Sequence, residues 1–110
     1  MTQDLFAVLA DPTRRAILEA LVKGESPVGD VVQAVGASQP TVSKHLRVLR
    51  SAGLVQQRAD GQRRLYSIQP EGLDPVGQWI DQFAEQEPTP QVTHPQRGGF
   101  LTSVFRRRRR

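Results

Sequence analysis

A mainly α chain with one β-hairpin and about five helices is the fold class this sequence predicts, and three observations predict it. Apolar residues recur at helical spacing between Gly and Pro punctuation through the first half of the chain. An Asp60-Gly61 pair then separates two β-prone runs, and a last amphipathic stripe follows them. With 110 residues there is room for one small domain and no second core.

The elements follow in order. Leu5, Phe6 and Leu9 recur at helical spacing, and Asp11-Pro12 restarts the chain as an N-cap followed by a first-turn proline. Ile17, Leu18, Leu21 and Val22 form the apolar stripe of a second helix, stopped by Gly24. Ser26-Pro27 repeats the cap-then-proline signal, and Val28, Val31, Val32 and Val35 give a short third helix that ends at Gly36. Only Ala37 separates that glycine from Ser38, the next cap, and two short helices joined so tightly predict a helix-turn-helix.

A fourth helix spans about 39–52, with Gly53 past its end. At about 100° per residue, Val42, Leu46 and Leu49 share one stripe, with His45 on its edge. The opposite face holds Pro40, Ser43, Lys44, Arg47 and Ser51, with Gln39 in the exposed first turn. The β-prone runs 54–58 and 63–68 flank Ala59-Asp60-Gly61-Gln62, where Asp-Gly suits a hairpin turn because both residues tolerate positive φ. A last helix over about 73–87 sets Val76, Trp79, Ile80 and Phe83 at i, i+3, i+4 and i+7. From Pro88 the periodicity stops. Three prolines, a glycine pair and five closing arginines predict a disordered basic arm over 88–110, beyond a domain of 1–87.

Charge is unevenly placed. The net value is +4, yet residues 38–64 hold six bases against Asp60 alone, residues 65–87 hold five acids and no base, and the arm holds six bases and no acid. General basicity is therefore no argument for nucleic acid, whereas the local block on the fourth helix and hairpin is one. The absence of cysteine excludes a disulfide scaffold, a thiolate metal site, an iron–sulfur cluster and a cysteine nucleophile. No apolar run approaches the ~18 residues of a membrane span. No base precedes the first apolar stretch as in a secretory signal, so the expected location is cytoplasmic. No Ser–His–acid set or phosphate-cradling glycine loop suggests an enzyme.

Four helices, a hairpin and a last helix, with the basic block on the fourth helix and the hairpin, describe a winged helix-turn-helix. A helix fits the major groove of B-form DNA, so polar and cationic residues on its outer N-terminal face reach base edges. Ser38, Gln39, Thr41, Ser43 and Lys44 form such a set, with Arg47 on the same face; Gln39 suits adenine and Lys44 suits guanine. Arg58, Arg63 and Arg64 at the hairpin's ends suit the neighbouring backbone or the minor groove. The competing reading of this helix is a core helix with a solvated polar face.

The stretch Asp11-Pro12-Thr13-Arg14-Arg15-Ala16-Ile17-Leu18 resembles the bacterial ArsR/SmtB family of repressors. So do Ser38-Gln39-Pro40-Thr41-Val42-Ser43-Lys44-His45-Leu46, Gly53-Leu54-Val55 and residues 58–66. The resemblance covers about residues 4–84. It implies a homodimeric winged-helix repressor whose first and last helices pair across a two-fold axis. Gln39, Pro40, Ser43 and Lys44 match the family's DNA-reading positions, and proline at the second of these removes a side-chain donor seen in many relatives. The implied dimer surfaces are Leu5, Phe6 and Leu9 on the first helix and Val76, Trp79, Ile80 and Phe83 on the last. Trp79 and Phe83 have a second reading as the lining of a small-molecule pocket.

The family often senses metals, but this chain departs from both of its ligand sets. Pro27 and Gly29 or Asp30 stand where cysteines enter the third helix, and residues 73–87 contain no histidine. Carboxylates alone hold borderline metals poorly, so no metal and no cofactor is expected. His45 reads as a packed histidine with a local hydrogen bond, against a pH switch or ligand. Arg14 and Arg15 read as phosphate contacts or as salt bridges to Asp11 or Glu19. The arm has three readings: a nonspecific DNA arm, an anchor on anionic lipid, or an incidental end. Double-stranded DNA and a second copy of the chain are the expected partners, with the effector unknown and a membrane role not expected. The alternative is a winged-helix interaction or membrane-surface module anchored by the polybasic tail.

Overall fold

The structure, a computed structural model, describes residues 4–84 and Gln86. The element order is α1 (Leu5–Leu9), α2 (Pro12–Leu21), β1 (Ser26–Pro27), α3 (Val28–Val35), α4 (Gln39–Ser51), β2 (Val55–Asp60), β3 (Arg63–Ile68), a 3₁₀ turn (Pro70–Leu73) and α5 (Asp74–Ala84). This is the winged helix-turn-helix arrangement with five α-helices. Glu85, Glu87 and the expected arm lie outside the described residues.

Caps set the helix starts. The Asp4 carboxylate accepts from the Phe6 amide at 3.1 Å, and the Asp11 carboxylate accepts from the amides of Thr13 (2.8 Å) and Arg14 (3.2 Å). Each satisfies a first-turn donor that the helix itself leaves open. α4 ends in a two-bond cap: the Gly53 amide donates to the Arg50 carbonyl and the Leu54 amide to the Leu49 carbonyl, both at 3.0 Å. That geometry requires the left-handed backbone that Gly53 takes at φ +80°, where a side chain would be strained.

The chain divides into two units after Gly72. In the first, Val8, Ile17, Leu18, Leu21, Val31, Val42, Leu46, Leu49, Leu54, Val55 and Leu65 are buried, and among the described residues none of the buried side chains is polar. The stripe Val42, Leu46 and Leu49 is fully buried, as its spacing predicts. Truncating Leu46 or Leu49 to alanine costs about 2–5 kcal/mol by lost transfer energy and the cavity left behind. The second unit carries α5, on which Val76 and Ile80 are half-buried while Trp79 and Phe83 are 50% and 54% exposed. Their rings meet edge to face, with centroids 4.9 Å apart.

Two expectations are corrected here. Ser26-Pro27 is not a cap-plus-proline start but a short edge strand, pairing Ser26 with Tyr66 and Pro27 with Leu65. The sheet is therefore three-stranded, in the order β1-β3-β2. Pro27 itself occupies the N-cap position of α3 and makes no side-chain cap bond, while the Ser26 hydroxyl donates to the Gly24 carbonyl at 3.0 Å. A proline is tolerated there because an edge strand can lack a donor. The hairpin turn is also shorter than expected. β2 runs through Asp60, which pairs with Arg63, so the turn is Gly61-Gln62. Only Gly61 takes positive φ (+65°), the pattern of a type II′ turn, and Asp60 remains in the strand.

Candidate nucleic-acid interface

α4 is held by one face and presents the other. Its Ser38 N-cap hydroxyl accepts from the Thr41 amide at 3.3 Å and donates to the Thr41 hydroxyl at 2.9 Å. Pro40 lies in the first turn, where its missing amide costs no helical bond. Away from the buried stripe, Pro40, Thr41, Lys44 and Arg47 are exposed and Ser43 is half-buried, and Gln39 is exposed in the first turn. The side chains of Gln39, Ser43, Lys44 and Arg47 make no hydrogen bond or ion pair with any described residue. Side chains of these types offer donors and acceptors to solvent, and Gln39 stands at the helix end whose amides favour an anion.

The hairpin presents its charge differently. Arg58 is paired twice to Glu25: Nε donates to Oε2 at 2.8 Å and Nη2 to Oε1 at 2.9 Å. Hydrogen bonding to Arg58 holds the Glu25 carboxyl below its ordinary value, and the same bonds push the Arg58 guanidinium further up. Arg63 donates to Asp60 at 3.2 Å across the turn. Arg64 is exposed, with no such partner among the described residues. Glu25 is the residue that sequence reasoning missed, and nothing local marks it, since it precedes β1 while Arg58 lies on β2, and the two meet only because both strands pair with β3.

Behind α4, half-buried Arg14 and exposed Arg15 of the Asp11-Pro12-Thr13-Arg14-Arg15 stretch bond to backbone carbonyls and make no ion pair with Asp11 or Glu19. Arg15 Nη1 donates to the carbonyls of Leu9 (2.7 Å) and Ala10 (3.2 Å), and Arg14 Nη1 to that of Val8 (3.4 Å), so they cap the end of α1. Arg14 Nε also donates to His45 Nδ1 at 3.2 Å. His45 is half-buried, as expected, but its bond reaches α2 and is not local. The Asp11 carboxyl stands at the same corner. Desolvation pushes it up, but the Arg14 and Thr13 amides and the nearby His45 and Arg14 outweigh this and hold it below its ordinary value.

Where the family's third-helix cysteines would stand, Pro27 lies in β1 and Asp30 is exposed in the first turn of α3. Among the described residues no three His, Asp or Glu side chains gather as a metal-binding group. No described helix is long and apolar enough to cross a membrane.

Residues 11–57 match the family described as "Bacterial regulatory protein, arsR family". The chain is 45% identical over 75 residues to the HTH-type transcriptional regulator Rv2034 of Mycobacterium tuberculosis, covering 68% of this chain and 70% of that one. It is 32% identical over 80 residues to the transcriptional repressor SdpR of Bacillus subtilis, covering 73% and 89%. Its fold matches the solution structure of a homodimeric winged helix-turn-helix DNA-binding domain, Mb0332 of Mycobacterium bovis. There the TM-score is 0.59 at 30% identity, over 81% of this chain and 83% of the other. With its helix-turn-helix, its wing and an outward polar face on α4, the chain belongs to the arsR family and is a DNA-binding transcriptional regulator.

Proposed function

We propose that two copies of this chain bind one double-stranded operator and repress transcription by blocking polymerase access. Each copy lays the N-terminal half of α4 into a major groove. The observation that carries this reading is the unpartnered set Gln39, Ser43, Lys44 and Arg47 on the exposed face of a helix whose other face is fully buried. Gln39 reads adenine, Lys44 reads guanine, and Ser43 meets a base or phosphate. Ser38 and Thr41 bring hydroxyls to the backbone beside the helix N-terminus, where Pro40 stiffens the first turn. Arg64 grips the neighbouring backbone directly, while Arg58 and Arg63 do so in exchange for Glu25 and Asp60.

Leu5, Phe6 and Leu9 of α1 and Val76, Trp79, Ile80 and Phe83 of α5 are the surfaces covered in the dimer. Supporting this, Phe6, Trp79 and Phe83 are among the exposed large apolar side chains, and the similar Mb0332 domain is homodimeric. The activity is binding, with no catalytic step. The chain has no cysteine and α5 has no histidine, so metal is not the signal expected to release it.

Selection from a pool of randomised duplexes tests the reading. An inverted repeat with half-sites about 10 bp apart, or a multiple of that, is the expected product, because the two helices are related by a two-fold axis. Binding without sequence preference would refute it.

A further inference from the structure

We propose that the groove between the C-terminal half of α4 and β2 is a second phosphate site, which takes the DNA backbone bounding the major groove. This rests on α4 being the base-reading helix. The groove has a volume of about 560 Å³ and is lined by Arg47, Arg50, Ser51, Val55, Gln56 and Gln57, with no carboxylate among them.

Arg50 lies three residues after Arg47, so the two guanidinium groups share one side of α4. Gln57 alternates with Gln56 and Arg58 along β2 and faces Arg50. With its amide oriented by the hydrogen-bond network, the Gln57 oxygen accepts from Arg50 Nη1 and Nη2 at 2.8 Å each and from Nε at 3.2 Å. This differs in kind from the Glu25–Arg58 pair. A neutral amide orients the guanidinium and leaves its full charge and further donors for a second acceptor, whereas a carboxylate neutralises it. The groove therefore holds one oriented cation, one unpartnered cation and the Ser51 hydroxyl, a donor set suited to a phosphodiester.

The spacing fits the same ligand. A helix rises about 1.5 Å per residue, which puts Arg50 roughly 9 Å beyond Lys44 and roughly 16 Å beyond Gln39. The major groove is about 12 Å wide. With Gln39 and Lys44 at base edges, Arg50 and Ser51 come up against the backbone at the groove's margin.

The test is a salt series of affinities for a selected duplex and a random-sequence duplex, run on the wild-type chain, R50Q and Q57E, with melting temperatures to confirm folding. In R50Q the slope of log affinity against log salt falls by about 0.9, the value of one phosphate contact, and both duplexes weaken by the same factor. Q57E does the same with Arg50 still present, because the new carboxylate takes its charge. A fall in either folded variant supports the site. An unchanged slope in both overturns it and leaves the base-reading helix standing, whereas a wild-type chain with no duplex preference overturns the base-reading itself. If inorganic phosphate raises the melting temperature of wild type and not of R50Q while the duplex slope is unchanged, the groove takes a free anion and the DNA assignment fails.

Discussion

On α4, Lys44 and Arg47 stand exposed with no acidic partner among the described residues, whereas two of the three arginines on the hairpin are held by Glu25 and Asp60. The two regions belong to one basic block, and as a list of residue types they look alike. They differ in what each cation must give up before it meets DNA. A side chain on α4 exchanges water for a base or phosphate. Arg58 must leave a two-pronged carboxylate, and Arg63 a single one. Exposed pairs of this kind are weak and screened by salt, so the exchange is feasible, but it subtracts from the net gain. If α4 and the hairpin meet DNA as proposed, discrimination is concentrated on α4 and the wing is the weaker, more salt-sensitive grip.

Substitutions on α4 break the comparison most directly. Gln39→Ala and Lys44→Ala should each cost roughly 1–3 kcal/mol of binding to the preferred duplex and relax the base preference at one position, as competition between selected and mutated duplexes would show. The hairpin then sharpens it. Arg64→Ala should lower the salt slope by about 0.9 and weaken all sequences alike, while Arg58→Ala changes the slope less. Glu25→Gln frees Arg58 and should raise affinity for random-sequence DNA, an outcome opposite in sign to every arginine deletion. If Arg58→Ala matches Arg64→Ala, the carboxylate partners do not matter and the contrast is wrong.

Two further changes test the support behind α4. Arg14→Ala removes the bonds to His45 and to the Val8 carbonyl and should cost about 1 kcal/mol of stability. In a domain of this size that is a drop of about 4–8 °C in melting temperature. The smallest effect is at acid pH. The folded Asp11 and Glu25 carboxyls titrate below their ordinary values of 3.8 and 4.5. Their stabilisation is present above those values and is lost as pH falls through the lower folded ones. Asp11→Asn and Glu25→Gln should each flatten the fall in melting temperature below about pH 4.5, and an unchanged acid limb would show that neither group is linked to folding.

Most of the fold is legible from residue spacing. The stripe Val42, Leu46 and Leu49, the caps Asp11 and Ser38, and the stop at Gly53 act over one or two helical turns, so their consequences can be read from neighbours alone. The same arithmetic exposes Lys44 and Arg47, because burying one face of a helix leaves the opposite one in water, while Gln39 stands in the exposed first turn. Ser26-Pro27 shows where it fails. The pair carries a helix-start signal, yet the backbone of Tyr66 and Leu65, far along the chain, draws it into an edge strand.

Local periodicity, capping chemistry and turn residues determined the helices, the hairpin, the family resemblance and the face of α4 that points outward. Only the tertiary structure decided which charged groups remain available. Glu25 reaches Arg58 across 33 residues and Arg14 reaches His45 across 31, while Gln57 comes to face Arg50 where β2 meets α4. The reason is one of range. A helix or turn forms through contacts a few residues apart, which the order of residues displays. An ion pair or side-chain bond across elements depends on where the hydrophobic core sets those elements down.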